Sequence, residues 1–143
     1  MINQVSENLI ELPKQFLDHE NYKILSNKAK ALLHTLCFQL NGFSNGNLRA
    51  NHSVMKPLGW RYKEAIRDAK NELIHYGWLD VTRVNKGKSP MLYAVTWLAV
   101  DECGGVLSPD KIRGVSSRWA EPKEPFDSRA EIKQEENKKI AVQ

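Results

Sequence analysis

Four polar side chains recur on one side of a segment near the middle of the chain. Lys63, Glu64, Arg67 and Asn71 are separated by one, three and four positions, and this spacing places them on one face of a helix. Lysine and arginine can meet guanine acceptors, and a glutamate can accept a hydrogen bond from the cytosine amino group. Asn71 lies further along the helix and is a weaker candidate. The pattern predicts a surface that can bind nucleic acid.

Two further pairs of residues are candidates for contact with DNA. Trp60 projects with the polar side chains and Arg61 stands at their edge. Trp60 has two interpretations, contact with a thymine methyl group or sugar, or packing beneath the preceding turn. Asn51 and Ser53, at the start of an earlier helix, are candidate phosphate contacts, and ordinary helix capping accounts for them equally well.

The helix that must position these side chains is predicted from about Arg61 to Tyr76. Its opposite face is apolar and belongs in a core, because its members recur at helical spacing: Tyr62, Ala65, Ile66, Ala69 and Leu73. Gly77 stands where a left-handed residue would end the helix, and Trp78 can fold back onto the last turn.

An extended, β-branched pattern follows this helix and predicts a hairpin. One strand runs from Leu79 to Val84, a turn covers residues 85–90, and an extended apolar segment resumes after it. The turn carries Lys86 and Lys88, with Arg83 beside it. These three cations are candidates to hold the adjacent DNA backbone or minor groove.

The sequence pattern predicts that the first half of the chain is mainly helical. Pro13 suits the first position of a helical turn that follows an extended piece. Ser26 is a good N-cap for a helix that runs to about Leu40, with Cys37 as a small buried hydrophobe on its apolar stripe. Lys28 and Lys30 lie near the start of this helix, where the helix dipole disfavours cations, and we hypothesise that they face phosphate.

Two further elements connect this helix to the central one. Residues 48–50 are predicted to form a short strand that pairs with the hairpin. A short helix from Ala50 to Met55 follows, with Val54 and Met55 turned inward, and a tight turn at Gly59 leads into the central helix.

Charge is concentrated on the central segment. The formal net charge of the 143 residues is +4. Between Arg49 and Lys88 nine Lys and Arg residues stand against four acids, a net charge of +5, whereas the tail from Ala120 carries five bases and six acids. This distribution indicates a phosphate-binding surface, with an ordinary solvated face as the alternative.

The chain divides into four segments by composition. Residues 1–25 are predicted to be an N-terminal arm, 26–100 the main domain, 101–119 a C-terminal extension and 120–143 a charged tail. The arm either covers the core or contributes to a dimer contact. The extension has a helix start at Ser108-Pro109-Asp110, with Ile112 and Trp119 as candidate docking residues. The tail lacks an apolar face, so we expect it to be disordered or to fold only on a partner.

The sequence predicts neither an enzyme nor a protein that carries a cofactor or metal. Its four histidines form no metal-ligand pattern, and no glycine-rich loop follows a strand. Cys37 and Cys103 are too isolated to form a disulfide framework. No apolar run approaches the roughly 20 residues that cross a bilayer, so we expect a cytoplasmic protein with no membrane partner.

Several of these segments together resemble a known family. The short helix, the Leu58-Gly59 turn, the longer helix ending in Tyr76-Gly77-Trp78-Leu79, and the strand with its lysine-bearing turn resemble the winged helix-turn-helix of small bacterial DNA-binding proteins. Residues 10–100 are similar to helix-turn-helix proteins carried by phages, plasmids and integrated elements. The resemblance implies an α+β fold, a mainly helical domain with a small antiparallel β-hairpin wing.

The same resemblance implies a function. It predicts sequence-specific binding of double-stranded DNA by a homodimer, in transcription regulation, replication or partition of a mobile element. The alternative is a winged-helix protein-interaction module, for example a phage-borne inhibitor of a host protein, with the charged tail as a contact for a protein partner. In one departure, Gly59-Trp60-Arg61 stands where the helices of such proteins often begin with a Ser or Thr cap.

Overall fold

The computed structural model describes residues 9–84, 89–101, 103 and 114–127. Within these ranges the chain forms helices first and a hairpin after them. The elements are α1 Lys14–Leu17, α2 Glu20–Lys23, α3 Asn27–Cys37, α4 His52–Met55, α5 Lys63–His75, β1 Leu79–Arg83 and β2 Leu92–Val95. Short 3-10 turns cover Lys56–Leu58 and Arg118–Ala120. The predicted α+β class, with helices and an antiparallel hairpin, is confirmed.

The N-terminal segment folds onto the core. α1 begins directly after Pro13, which is its N-cap and not its first helical residue. Phe16 and Tyr22 are buried, whereas Leu17 and Ile24 are 43% and 54% exposed. The segment therefore covers the core with one face and leaves its other apolar side chains in contact with solvent.

The start of α3 is capped as predicted. Ser26 Oγ accepts a hydrogen bond from the backbone N–H of Ala29 at 3.1 Å. The predicted apolar stripe is buried: Ala29, Leu32, Leu33, Leu36 and Cys37. Burial raises the pKa of the Cys37 thiol to about 12, in keeping with a core side chain. The helix ends at Cys37 and not at Leu40, because the N–H groups of Gln39 and Leu40 bond only three residues back.

The end of α5 follows a Schellman motif. Gly77 is left-handed, with φ 84°, and its N–H bonds to the Ile74 carbonyl at 3.1 Å. The N–H of Trp78 bonds to the Leu73 carbonyl at 3.0 Å. These bonds stop the helix where the sequence predicted and turn the chain toward β1.

The hairpin contains one irregularity. Leu79 pairs with Val95 and Val81 pairs with Tyr93, but Arg83 pairs with Leu92, so β1 has an extra residue between Val81 and Arg83. The predicted strand at residues 48–50 is reduced to one antiparallel bridge between Leu48 and Tyr93. Two-way backbone hydrogen bonds of 3.0 and 2.9 Å hold that bridge.

Residues 114–127, which we call the strap, pack across the core. Ser116 N–H bonds to the Thr96 carbonyl at 2.8 Å, and Arg118 forms a 2.9 Å salt bridge with Asp80. Trp119 stacks on Trp78 with ring centroids 5.4 Å apart. Trp119 is thus a docking residue, as predicted, whereas the predicted helix start at residues 108–110 and the other predicted docking residue, Ile112, lie outside the described residues.

The boundary predicted for the charged tail is corrected by the strap. Residues 120–127 belong to the tail that we expect to be disordered or to fold only on a partner, yet the backbone N–H of Phe126 bonds to the Tyr76 hydroxyl at 3.0 Å. Asn21 Nδ2 also donates to the carbonyls of Trp119 and Glu121, at 2.8 and 2.7 Å. The sequence pattern failed here because no apolar face holds this segment. It is held by one aromatic side chain, Phe126, and by hydrogen bonds between its backbone and side chains of earlier elements.

Among the helices that the structure describes, none combines the length and apolar character needed to cross a bilayer.

Candidate nucleic-acid interface

The polar face of α5 points away from the core. Ile66, Ala69 and Leu73 are buried in the side of the helix that packs against α3. Lys63, Glu64 and Arg67 are exposed on the other side, and Asn71 is half-buried. Three of the four predicted residues are therefore accessible on one helical face.

Arg67 already has a partner on this face. Its Nε and Nη2 atoms both lie 3.3 Å from Asp68 Oδ1. The side chains are 47% and 34% exposed, so solvent screens the pair and its contribution to stability is small. Any anion or hydrogen-bond acceptor that binds this guanidinium group would have to compete with Asp68.

The chain that enters α5 is held by contacts to earlier elements. Trp60 N–H bonds to the Met55 carbonyl at 3.2 Å, and the Trp60 indole donates to Thr35 Oγ1 at 3.2 Å. The His52 ring lies 3.0 Å from the Arg61 carbonyl through Nε2. Trp60 is half-buried against the core cluster, so the structure favours its packing interpretation over contact with a base.

Tyr62 was assigned to the core, and this prediction is wrong. Its side chain is 68% exposed. Tyr62 is the N-cap of α5 with an extended backbone, φ −116° and ψ 131°, so the helical periodicity that begins at Lys63 does not include it. Together with Arg61, which is also exposed, it places an aromatic ring and a cation at the entrance to the helix.

The two candidates on α4 contact each other. Asn51 Nδ2 donates to Ser53 Oγ at 2.6 Å. Asn51 is the N-cap of α4 by position, but its side chain makes no capping hydrogen bond, and its Oδ1 atom is buried without a hydrogen-bond partner. Ser53 is exposed, so its hydroxyl remains the more accessible of the two candidates.

The structure describes one of the three cations predicted for the hairpin, Arg83. Arg83 is half-buried, and its Nη2 donates to the Pro90 carbonyl at 3.0 Å, so it braces the two sides of the hairpin. Lys86 and Lys88 lie outside the described residues. Their contact with a DNA backbone stays a prediction.

The two lysines at the start of α3 point to different neighbours. Lys30 Nζ lies 5.3 Å from the centroid of the Tyr22 ring, a cation–π distance that directs it to the N-terminal segment. Lys28 is exposed and borders an open cleft of about 320 Å³, together with Asp68 and Asp127. Carboxylates beside Lys28 weaken the hypothesis that it faces phosphate.

Comparison with known proteins gives no match. A scan against family models, a search of curated proteins and a search of solved structures each found none.

Two contributors to this surface were missed in the sequence. Helical spacing places Tyr62 in the core, but Tyr62 is an N-cap residue and has no helical phase; the turn at Gly59, which limits how early the helix can begin, is the signal for this. Thr35, which fixes the Trp60 indole, lies 25 positions away and no local signal connects the two. The accessible surface is formed by Arg61, Tyr62, Lys63, Glu64 and Arg67.

Proposed function

We propose that this protein binds double-stranded DNA sequence-specifically through a winged helix-turn-helix. The observation that carries the proposal is the polar face of α5, which is exposed over the helix start and backed by a buried face against α3. α4 and the Gly59 turn precede this helix and the hairpin follows it, in the order that the proposed fold requires.

In the proposed complex α5 enters the major groove from its N-terminal end. Lys63 and Arg67 meet guanine acceptors and Glu64 accepts from a cytosine amino group. Asn71, half-buried near the middle of the helix, has a secondary role. The hairpin, with Lys86 and Lys88 at its turn, holds the adjacent backbone or minor groove.

Charge supports this assignment. The segment from Arg49 to Lys88 has a net charge of +5, above the +4 of the whole chain. Neutralising phosphates with such a segment releases counterions, so affinity must fall steeply as salt rises. The proposal includes action in the cytoplasm as a homodimer, in transcription regulation, replication or partition of a mobile element.

A protein-interaction module is the second candidate. Phe38 and Phe43, at the end of α3 and in the loop after it, are 64% and 82% exposed. Exposed aromatic side chains are common at protein interfaces. Their position on the loop between α3 and α4 gives this candidate a surface other than the polar face of α5.

Fluorescence anisotropy with random and native-locus duplexes across a salt series tests the proposal. We expect binding that weakens steeply with salt, and loss of binding in a folded Lys63, Arg67 and Lys88 triple alanine variant. A Phe38 and Phe43 double alanine variant is the matched control and should bind DNA normally. Absence of binding by the folded wild type at low salt would refute the proposal and direct attention to a protein partner.

A further inference from the structure

α5 carries opposite charges on its two exposed edges. Lys63, Arg67 and Lys70 follow at spacings of four and three residues and form one edge. Lys70 Nζ lies 5.8 Å from the centroid of the Tyr93 ring on β2. The basic edge of α5 therefore faces the hairpin.

The other edge is acidic. Glu64, Asp68 and Glu72 recur every four residues along it. Glu72 accepts hydrogen bonds from Ser26, so this edge faces the start of α3 and turns away from the hairpin. The exposed face of the helix thus lies between a cationic and an anionic border.

The strap extends the acidic border. His75 Nε2 hydrogen-bonds to the Glu124 carbonyl, and Phe126 N–H bonds to the Tyr76 hydroxyl at 3.0 Å. Phe126 and Asp127 also line the cleft that Asp68 and Glu72 border, where three carboxylates stand against one cation, Lys28. Residues 121–127 contain three acids and one lysine, and Glu124 is exposed.

We propose that Asp68 and Glu72 on the acidic edge of α5, together with the docked strap, form an electrostatic border that repels phosphate, while Glu64 at the start of this edge keeps its proposed contact with a cytosine amino group. Duplex DNA is confined to the hairpin side of α5, and binding that depends only on phosphate is weakened. Asp68 contributes in a second way, because it holds the Arg67 guanidinium at 3.3 Å until a base edge replaces it. This inference rests on the proposed DNA binding and assigns the strap a role in its selectivity.

Charge neutralisation tests the border. We measure the Kd of Asp68→Asn, Glu124→Gln and the double variant for random-sequence and native-locus duplexes, with thermal unfolding as a check on folding. We expect each single variant to bind random duplex about two- to fivefold more tightly, since each removes one exposed like-charge repulsion. The gain on the native site should be smaller, so that selectivity falls.

The matched control is the double variant Glu11→Gln and Glu20→Gln. Both glutamates are exposed on the N-terminal segment, and their removal changes the net charge as much as the double border variant does. The control should bind random duplex within about twofold of wild type, because remote exposed charges are screened.

The outcomes separate this inference from the function it rests on. If wild type binds DNA and the control gains as much affinity as the border variant, only net charge matters and the border inference is overturned. If wild type binds and the border variant gains nothing, the inference is also overturned. If neither wild type nor any folded variant binds DNA at low salt, the proposed function itself is refuted.

Discussion

Glu72 on α5 caps the start of α3 at Ser26, 46 positions earlier in the chain. One carboxylate oxygen accepts from the Ser26 backbone N–H at 2.6 Å and the other from the Ser26 hydroxyl at 2.9 Å. Ser26 Oγ in turn accepts from Ala29 N–H. The carboxylate thus lies where the dipole of α3 favours negative charge, and it joins α5 to the start of α3.

We expect Glu72→Ala to lower the free energy of unfolding by about 1–3 kcal/mol, because the part-buried Ser26 N–H and hydroxyl lose a charged acceptor. Urea unfolding followed by circular dichroism measures the change. Glu64→Ala, exposed on the same helix, is the control, with an expected loss within about 1 kcal/mol. Equal losses for the two variants would show that the contact to Ser26 adds nothing.

Gly77→Ala should destabilise the protein more than Gly59→Ala. Both glycines have positive φ, 84° and 100°, so each alanine costs about 1–2 kcal/mol of backbone energy. At Gly77 a Cβ would also overlap the Arg118 carbonyl oxygen, whereas at Gly59 it would have no atom within 4 Å. Urea unfolding compares stability, and limited proteolysis at Lys123 reports release of the strap. If Gly77→Ala and Gly59→Ala lose equal stability and are cleaved at Lys123 at equal rates, the strap does not approach Gly77 closely.

Asn45 holds the loop after α3 to the end of β2. It is 2% exposed; its Oδ1 accepts from Val95 N–H at 2.9 Å, and its Nδ2 donates to the carbonyls of Val95, Leu98 and Ala99. Asn45→Ala leaves buried backbone groups without partners and should cost about 1–3 kcal/mol of stability. Exposed Asn41 in the same loop is the control. Its Oδ1 accepts from the Phe43 N–H at 2.9 Å, but water can replace this exposed bond, so we expect a change within about 0.5 kcal/mol for alanine. A neutral Asn45→Ala in thermal unfolding would contradict this role.

Tyr62→Ala is expected to weaken DNA binding about threefold or more without loss of stability, because its 68% exposed ring stands at the entrance to α5. Tyr62→Phe separates the ring from the hydroxyl group in the same anisotropy assay. Phe43→Ala removes an even more exposed aromatic, 82%, from a loop outside the proposed surface, and should leave affinity unchanged. If Tyr62→Ala and Phe43→Ala both bind like wild type, Tyr62 has no part in the interface.

Arg67→Ala should cost about 1–3 kcal/mol on the preferred sequence and relax base preference, since the proposed contact is to a guanine edge. Lys88→Ala should weaken all sequences alike and flatten the salt dependence, because its proposed contact is to phosphate. Competition binding against single-base variants of the site measures both. Uniform loss on every sequence for Arg67→Ala would refute its assignment as a base reader.

The sequence alone determined the elements whose signals are local. Ser26 caps α3 because its hydroxyl reaches an N–H three residues away, and Gly77 ends α5 because only a left-handed residue closes the Schellman motif. The buried face of α5 at Ile66, Ala69 and Leu73 followed from helical spacing. Each of these interactions spans at most a few turns of one helix, so composition and spacing suffice to predict it.

Only the tertiary structure decided which side chains around α5 are exposed and which are packed against other elements. Trp60 packs because Thr35 accepts its indole N–H, while Tyr62 is exposed because the helix begins one residue after it. The docking of residues 120–127 depends on Asn21, His75 and Tyr76, which are distant in the chain. Hydrogen bonds between remote segments leave no periodic pattern in a sequence. The acidic border that we propose beside α5 therefore could not be predicted before the tertiary structure placed those segments together.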